Sequence, residues 1–167
     1  YDMAGLTRRY DFLTTVSKNC NDLGWGNYAN DHEDANGQFE QNFTFANALT
    51  SCDRAIFFRY MVHTLAERAG MIATFMPKPF SDLTGNGCHA HVSLWQKSKN
   101  LFDDPKGELG LSALGYNFLG GVMHSAAGAA AITTPTVNSY KRINAPATLS
   151  GATWSPNTFT YAGNNRT

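Results

Sequence analysis

Residues 38–45, Gln38-Phe39-Glu40-Gln41-Asn42-Phe43-Thr44-Phe45, decide the fold because their side chains alternate strictly. In an extended chain the three phenylalanines and Gln41 would lie on one face, and the other polar residues, with Glu40 among them, on the opposite face. A period of two is typical of a β-strand with one buried face. The preceding Asn36-Gly37 signals a tight reversal. The stretch therefore predicts a strand of a hairpin.

Acidic side chains flank this turn. Glu33 and Glu40 lie on either side of it, so the reversal brings both carboxylates to one place, together with the imidazole of His32. Two carboxylates and an imidazole in one pocket would repel or stay protonated without a cation, and hard ions such as Mg²⁺ or Mn²⁺ relieve that repulsion. From the spacing alone, a metal site and a solvated hairpin with ordinary surface acids stay equally open.

A second alternating stretch runs from Cys88 to Leu94. It predicts a strand with His89, His91 and Ser93 on one face, where residues i and i+2 lie about 7 Å apart. Such a face can present nitrogen ligands to a metal or donors to a phosphate. The more frequent explanation of a His-x-His pair is two surface or hydrogen-bonded histidines without a ligand. The Pro- and Gly-containing loop 76–87 leads into this stretch and offers backbone groups to a ligand.

Helical patterns alternate with these strands. Residues 8–23 carry apolar side chains at helical spacing, and Gly24 ends the pattern. A second helix is predicted to be capped by Thr50 or Ser51 and to end at Gly70. A third, rich in Gly and Ala, spans about residues 112–131. These helices are interpreted as scaffold.

The composition excludes several classes of protein. Among 167 residues, 13 basic and 13 acidic side chains cancel, and 43% of the residues are hydrophobic. Nucleic-acid binding needs a basic surplus and disorder needs low hydrophobicity, so neither class fits. No apolar run reaches the roughly 18 residues of a membrane helix. Three cysteines without CxxC spacing, Cys20, Cys52 and Cys88, predict reduced, buried thiols in a cytoplasmic protein.

Three segments, in chain order, resemble the catalytic domain of the glutamine synthetase family: residues 33–40, residues 73–94 with their His-x-His, and residues 135–142 ending in Tyr140-Lys141-Arg142. The resemblance implies that residues 1–167 are part of an α+β catalytic domain with a largely antiparallel sheet and packed helices. Its N-terminal β-grasp domain and the later part of the catalytic domain would lie outside this stretch. The missing initiator methionine agrees with an internal piece of a longer protein.

The resemblance also implies roles for nine residues. Glu33 and Glu40 resemble two of the carboxylates that hold the family's first Mg²⁺ or Mn²⁺ ion, and His89 resembles a ligand of the second ion, beside the phosphates of ATP. The other matched positions are His91 and Ser93 for the nucleotide, Phe45 for its adenine, Gly85 for the amino group of glutamate, Arg142 for its carboxylate, and Arg166 for the transferring phosphate.

The implied reaction transfers the γ-phosphoryl of ATP to the γ-carboxylate of glutamate, and ammonia then attacks the acyl phosphate. The fragment alone is expected to be inactive, because the upstream and later ligands lie outside it. The parent is expected to be a cytoplasmic homo-oligomer of stacked hexameric rings.

One departure from the family bears on the amine. Residues 143–165 contain no Asp or Glu, whereas familiar members carry a glutamate on a flap shortly after the position of Arg142. This pattern is similar to the type III branch, which includes γ-glutamylmethylamide synthetases, so methylamine or another alkylamine is an alternative nucleophile. A noncatalytic relative, kept as a structural or regulatory oligomer, is a second alternative. A metal-dependent amidohydrolase is disfavoured, because that fold needs about 250 residues of repeated β/α units.

Overall fold

The computed structural model describes residues 1–151 and 157–163. The chain forms two compact units, Tyr1–Met76 and Pro77–Thr167. Both units combine helices with antiparallel strand pairs, which confirms the predicted α+β class. Arg166, predicted to contact the transferring phosphate, lies outside the described residues. No helix in the described ranges is long and apolar enough to cross a membrane.

The first unit contains three helices and one hairpin: α1 Met3–Arg8, α2 Tyr10–Asp22, β1 Asn27–His32, β2 Phe39–Phe43 and α3 Ala48–Arg68. The helix predicted over residues 8–23 is thereby confirmed as α2. Gly24 follows it with a φ of +73°, a left-handed conformation that glycine adopts without strain where a helix ends. Helix α3 begins a turn earlier than predicted, because the side chain of Asn47, not that of Thr50 or Ser51, caps it by accepting from the Thr50 N–H.

The core of the first unit lies where α2 and α3 meet the hairpin. Its buried members are Val16, Cys20, Trp25 and Met61. Trp25 is central, because its ring meets those of Phe43 and Phe57 edge to face at centroid distances of 5.8 and 5.9 Å. Apolar packing of the two helices therefore fixes the hairpin.

The prediction of buried cysteines is confirmed only in part. Cys20 is buried in this core, whereas Cys52 on α3 and Cys88 are exposed thiols, and all three are free. The helical pattern placed Cys20 on the apolar stripe of α2, as found. Cys52 is exposed on α3, whose buried side chains are Met61 and Ala66.

The second unit is built from short strands, a 3₁₀ turn and two helices: β3 Trp95–Gln96, β4 Lys99–Asn100, the turn Glu108–Gly110, α4 Ala113–Thr133 and α5 Val137–Arg142. Helix α4 confirms the third predicted helix, and Ser112 caps it by accepting from the Gly115 N–H. The strand predicted over 88–94 is wrong. Those residues belong to no strand, because in the described chain they have no ladder partner, and β3 pairs only with β4.

Candidate active site

The hairpin places the two predicted metal-binding carboxylates on one face. In the antiparallel register Asp31 lies opposite Glu40, and His32 opposite Phe39. The Glu33 N–H donates to the Gln38 carbonyl at 2.9 Å, so the pairing continues one residue past β1. Since side chains alternate between faces, Asp31, Glu33 and Glu40 share one face. The strand predicted over 38–45 is confirmed for Phe39–Phe43.

The reversal that brings these carboxylates together is a four-residue turn. The Gln38 N–H donates to the Ala35 carbonyl at 3.0 Å, and Gly37 has a φ of +77°. Such a φ at the third position of a turn selects glycine. The reversal predicted from Asn36-Gly37 is therefore confirmed.

The imidazole of His32 does not join the carboxylates, and that part of the prediction is wrong. His32 is only 8% exposed, lies on the opposite face of β1, and packs its ring against Phe39 at 5.3 Å. The Asp2 N–H donates to its Nδ1 at 3.4 Å, and a Cβ added at Gly5 would lie 2.5 Å from its Nε2. His32 is thus a packing residue between α1 and the hairpin.

The side chain of Glu40 stays accessible. It is exposed, and its Oε1 accepts one hydrogen bond, from Asn42 Nδ2 at 3.2 Å. Carboxylate oxygens are the donors that Mg²⁺ and Mn²⁺ prefer, so the pair Glu33 and Glu40 suits such an ion. Within 1–151 and 157–163, no three His, Cys, Asp or Glu side chains form a metal-binding group.

Phe45 follows the hairpin as an exposed aromatic ring. It is 91% exposed, and it lies beyond the end of β2. Its neighbour Thr44 is anchored, since its N–H and Oγ1 both donate to the Trp25 carbonyl, at 3.3 and 2.8 Å. The backbone is therefore fixed while the ring is left open to stack against a planar ligand.

In the second unit, Arg142 lies at the C-terminal end of α5. Thr136 caps this helix, with its Oγ1 accepting from the Ser139 N–H at 3.1 Å. Arg142 is half-buried, and this burial lowers the pKa of its guanidinium, because desolvation disfavours the charged form. Among the described residues the guanidinium makes no ion pair, since the one salt bridge found there joins Lys18 to Asp22.

Two glycines bring the backbone of loop 77–87 against Arg142. A Cβ added at Gly85 would lie 2.3 Å from the Pro77 carbonyl oxygen and 3.2 Å from Arg142 Cδ. A Cβ added at Gly87 would lie 3.1 Å from Arg142 Nη2 and 3.9 Å from His89 Nε2. Gly85 therefore lies beside the aliphatic part of Arg142, and Gly87 lies beside its guanidinium and beside His89. We call these four residues the Arg142 corner.

The remaining predicted residues of this unit are exposed. His91 and Ser93 lie in the segment leading to β3, and Ser93 Oγ accepts from Trp95 Nε1 at 2.8 Å. Their shared strand face is not formed in the described chain, since residues 88–94 pair with no strand there.

Two residues next to the Arg142 corner have structural roles that the sequence did not predict. Lys78 is 7% exposed, and its Nζ donates to the Leu83 carbonyl at 2.5 Å. The side chain of Asn138, on α5, makes hydrogen bonds with the backbone N–H and carbonyl of Lys78. The position of Lys78 between Pro77 and Pro79, whose rings fix φ, was the available signal of a rigid segment.

Comparison with known proteins gives concordant matches. The chain is 56% identical to a glutamine synthetase of Rhizobium meliloti (strain 1021) over its whole length, covering 39% of that protein. It is 48% identical over 99% of its length to a glutamate–methylamine ligase of Methyloversatilis universalis, covering 38% of that protein. The chain thus spans about two fifths of the curated relatives that it matches.

The structure agrees with solved relatives. A GmaS–ADP complex superposes with a TM-score of 0.92 at 59% identity, over 99% of this chain and 39% of that one. The cryo-EM structure of Plasmodium falciparum glutamine synthetase gives a TM-score of 0.76 at 30% identity, over 79% of this chain and 26% of that one. The family model described as "Glutamine synthetase, catalytic domain" matches residues 1–167. The chain therefore belongs to the glutamine synthetase catalytic-domain family.

Proposed function

We propose that the protein containing this chain is an ATP-dependent ligase that joins glutamate to ammonia, forming a γ-glutamyl amide through γ-glutamyl phosphate. The observation that carries the proposal is the Arg142 corner. A half-buried guanidinium without an ion pair in the described ranges calls for an anionic partner, and its planar fork suits a carboxylate. The α-carboxylate of glutamate is the proposed partner, with the Gly85 carbonyl accepting from the amino group.

The nucleotide is proposed to bind through three exposed side chains. The open ring of Phe45 suits stacking on adenine. His91 and Ser93 can donate to phosphate or ribose oxygens, and both side chains are exposed. Arg166 is the proposed partner of the transferring phosphoryl group, because a guanidinium neutralises the charge that develops there.

The metal ligands are proposed to be Glu33 and Glu40 for one Mg²⁺ or Mn²⁺ ion and His89 for a second. Support comes from the shared face of the two carboxylates on the hairpin. A bound divalent ion would screen the repulsion between ATP and glutamate and polarise the phosphoryl oxygens.

The chemistry assigned to these residues is positioning and charge neutralisation. An oxygen of the glutamate γ-carboxylate attacks the γ-phosphorus of ATP, and ADP leaves. The amine nitrogen then attacks the γ-carbonyl carbon, and phosphate leaves with the oxygen that came from glutamate. Arg142 and Gly85 hold the amino-acid end, so that the γ-carboxylate meets the nucleotide in one orientation.

Methylamine or another small alkylamine is the alternative nucleophile. It is supported by the absence of Asp and Glu from residues 143–165. A relative named glutamate–methylamine ligase at 48% identity supports it too.

The test is ADP release by the full-length protein with glutamate and ammonia, methylamine or ethylamine at matched concentration, with Mg²⁺ or Mn²⁺. Turnover with ammonia and no preference for methylamine would support glutamine synthetase and overturn the alternative. No ADP release with any amine would overturn the ligase and leave a noncatalytic relative. The proposal includes a cytoplasmic homo-oligomer of stacked hexameric rings, whose mass light scattering would measure.

A further inference from the structure

Asn138 makes an unusual double hydrogen bond to a distant residue. Its Oδ1 accepts from the Lys78 N–H at 2.7 Å, and its Nδ2 donates to the Lys78 carbonyl at 2.8 Å, across 60 residues of sequence. One amide side chain thereby satisfies both backbone groups of a single residue. Such a two-point contact fixes orientation as well as distance, because the side-chain amide is planar.

The segment bound in this way is itself closed into a compact loop. The Asn86 N–H donates to the Pro77 carbonyl at 2.8 Å, which joins the two ends of loop 77–86. Inside it, Lys78 Nζ donates to the Leu83 carbonyl at 2.5 Å, and Lys78 is only 7% exposed. A displacement at Lys78 would therefore be transmitted to the whole loop, including Gly85.

The same helix carries Arg142. Residues four apart lie on one face of a helix, so Asn138 and Arg142 both face loop 77–86. Asn138 holds one end of this loop, and Gly85, near its other end, lies within 3.2 Å of Arg142 Cδ, measured from an added Cβ. Asn138 and Arg142 thus contact the same loop at its two ends, and Gly85 lies beside the Arg142 side chain.

We infer that Asn138 is a positioning residue for glutamate, one that clamps loop 77–86 to α5 so that the Gly85 carbonyl and the Arg142 guanidinium form a single subsite. This inference rests on the proposed function for the identity of the ligand. The clamp itself rests only on the contacts above. Lys78 stiffens the loop from inside through its bond to Leu83.

The kinetic test uses the full-length protein with Asn138→Ala, and Val137→Ala as the matched control. Val137 is 78% exposed on the same helix. Loss of two partly buried hydrogen bonds to this loop should raise the KM for glutamate by about tenfold or more. The KM for ATP should stay within about twofold, since a purely structural defect would change both together. Lys78→Met should raise the glutamate KM in the same direction, by a smaller factor.

A second readout does not depend on catalysis. Amide hydrogen exchange of residues 78–86 should be faster in Asn138→Ala than in Val137→Ala, while exchange in α2 stays unchanged. Unchanged exchange in the loop would overturn the clamp, and faster exchange with an unchanged glutamate KM would overturn its role in positioning. If the wild type turns over no glutamate with any amine, the proposed function fails, and with it the positioning of glutamate; exchange alone then decides whether the clamp exists.

Discussion

The hairpin of the first unit and the Arg142 corner of the second carry proposed ligands in two different ways. Glu33 and Glu40 are seven residues apart, and one turn with its register brings them to the same face. The corner lies on loop 77–87 and α5, which the Asn138 side chain joins by binding the Lys78 backbone across 60 residues of sequence. The hairpin therefore depends on local geometry, whereas the corner depends on contacts that form only when distant segments meet. This contrast predicts different consequences of mutation in the two regions.

The largest effect is expected at the exposed carboxylate of the hairpin. Replacing Glu40 by Ala removes a proposed metal ligand without touching the core, so the protein should stay folded. Weakening the binding of the metal ion should cost several kcal/mol of transition-state stabilisation, so kcat/KM should fall about 1,000-fold. The metal concentration needed for half-maximal activity should rise. Steady-state kinetics over a Mg²⁺ titration would measure this.

Asp22→Ala is the matched control for that variant. Asp22 is an exposed carboxylate of the same unit, paired with Lys18, and the two side chains are 63% and 74% exposed. Exposed pairs contribute at most about 1 kcal/mol, so activity should be unchanged and the free energy of unfolding nearly so. Full activity in Glu40→Ala would contradict the metal assignment.

A pair of glycine variants separates the two regions next. Gly85→Ala places a Cβ 2.3 Å from the Pro77 carbonyl, so the loop must shift and the KM for glutamate should rise about tenfold. Gly37→Ala meets no atom within 4 Å, but its φ of +77° is strained for alanine, so unfolding free energy should fall by about 1 kcal/mol while the glutamate KM holds. Kinetics and urea unfolding would measure these effects. The opposite pattern would refute the contrast.

The smallest effect concerns thiol reactivity. Burial raises the pKa of Cys20 from 9.0 to about 11, whereas Cys88 is exposed before β3. At pH 8 iodoacetamide should label the exposed Cys52 and Cys88 first, with Cys20 labelled only after unfolding. Between about pH 9 and 11 the thiol of Cys20 ionises in the unfolded chain but stays protonated in the folded one. The free energy of unfolding should therefore fall as the pH rises through this range. Peptide mass spectrometry would measure the labelling, and equal rates would contradict the buried core.

Sequence reasoning worked where structure is local. The period of residues 39–43, the Asn36-Gly37 turn and the apolar stripe of α2 each depend on a few neighbouring residues, and all three predictions are confirmed. It failed where a partner elsewhere in the chain decides. Residues 88–94 alternate like a strand but have no ladder partner in the described chain. The error at His32 has a local cause, because adjacent residues of an extended chain alternate between faces and His32 therefore points away from Glu33.

The contact between Lys78 and Asn138 likewise could not be predicted from the sequence. Nothing in the spacing of Lys78 and Asn138 indicates that the two meet, since 60 residues separate them. The family resemblance implied that Gly85 and Arg142 bind the same glutamate, but it did not indicate which contacts hold them together. In the structure, two hydrogen bonds between the Asn138 amide and the Lys78 backbone join α5 to the loop that carries Gly85.

In the proposed reaction, the γ-carboxylate of glutamate is phosphorylated before the amine attacks. The most direct test supplies the full-length protein with ATP, ammonia or methylamine, and glutamate labelled with ¹⁸O in its γ-carboxylate, and then measures the isotope in the released phosphate by mass spectrometry. Transfer through γ-glutamyl phosphate predicts one ¹⁸O atom in each phosphate. Unlabelled phosphate, released at the same rate as ADP, would exclude a γ-glutamyl phosphate intermediate.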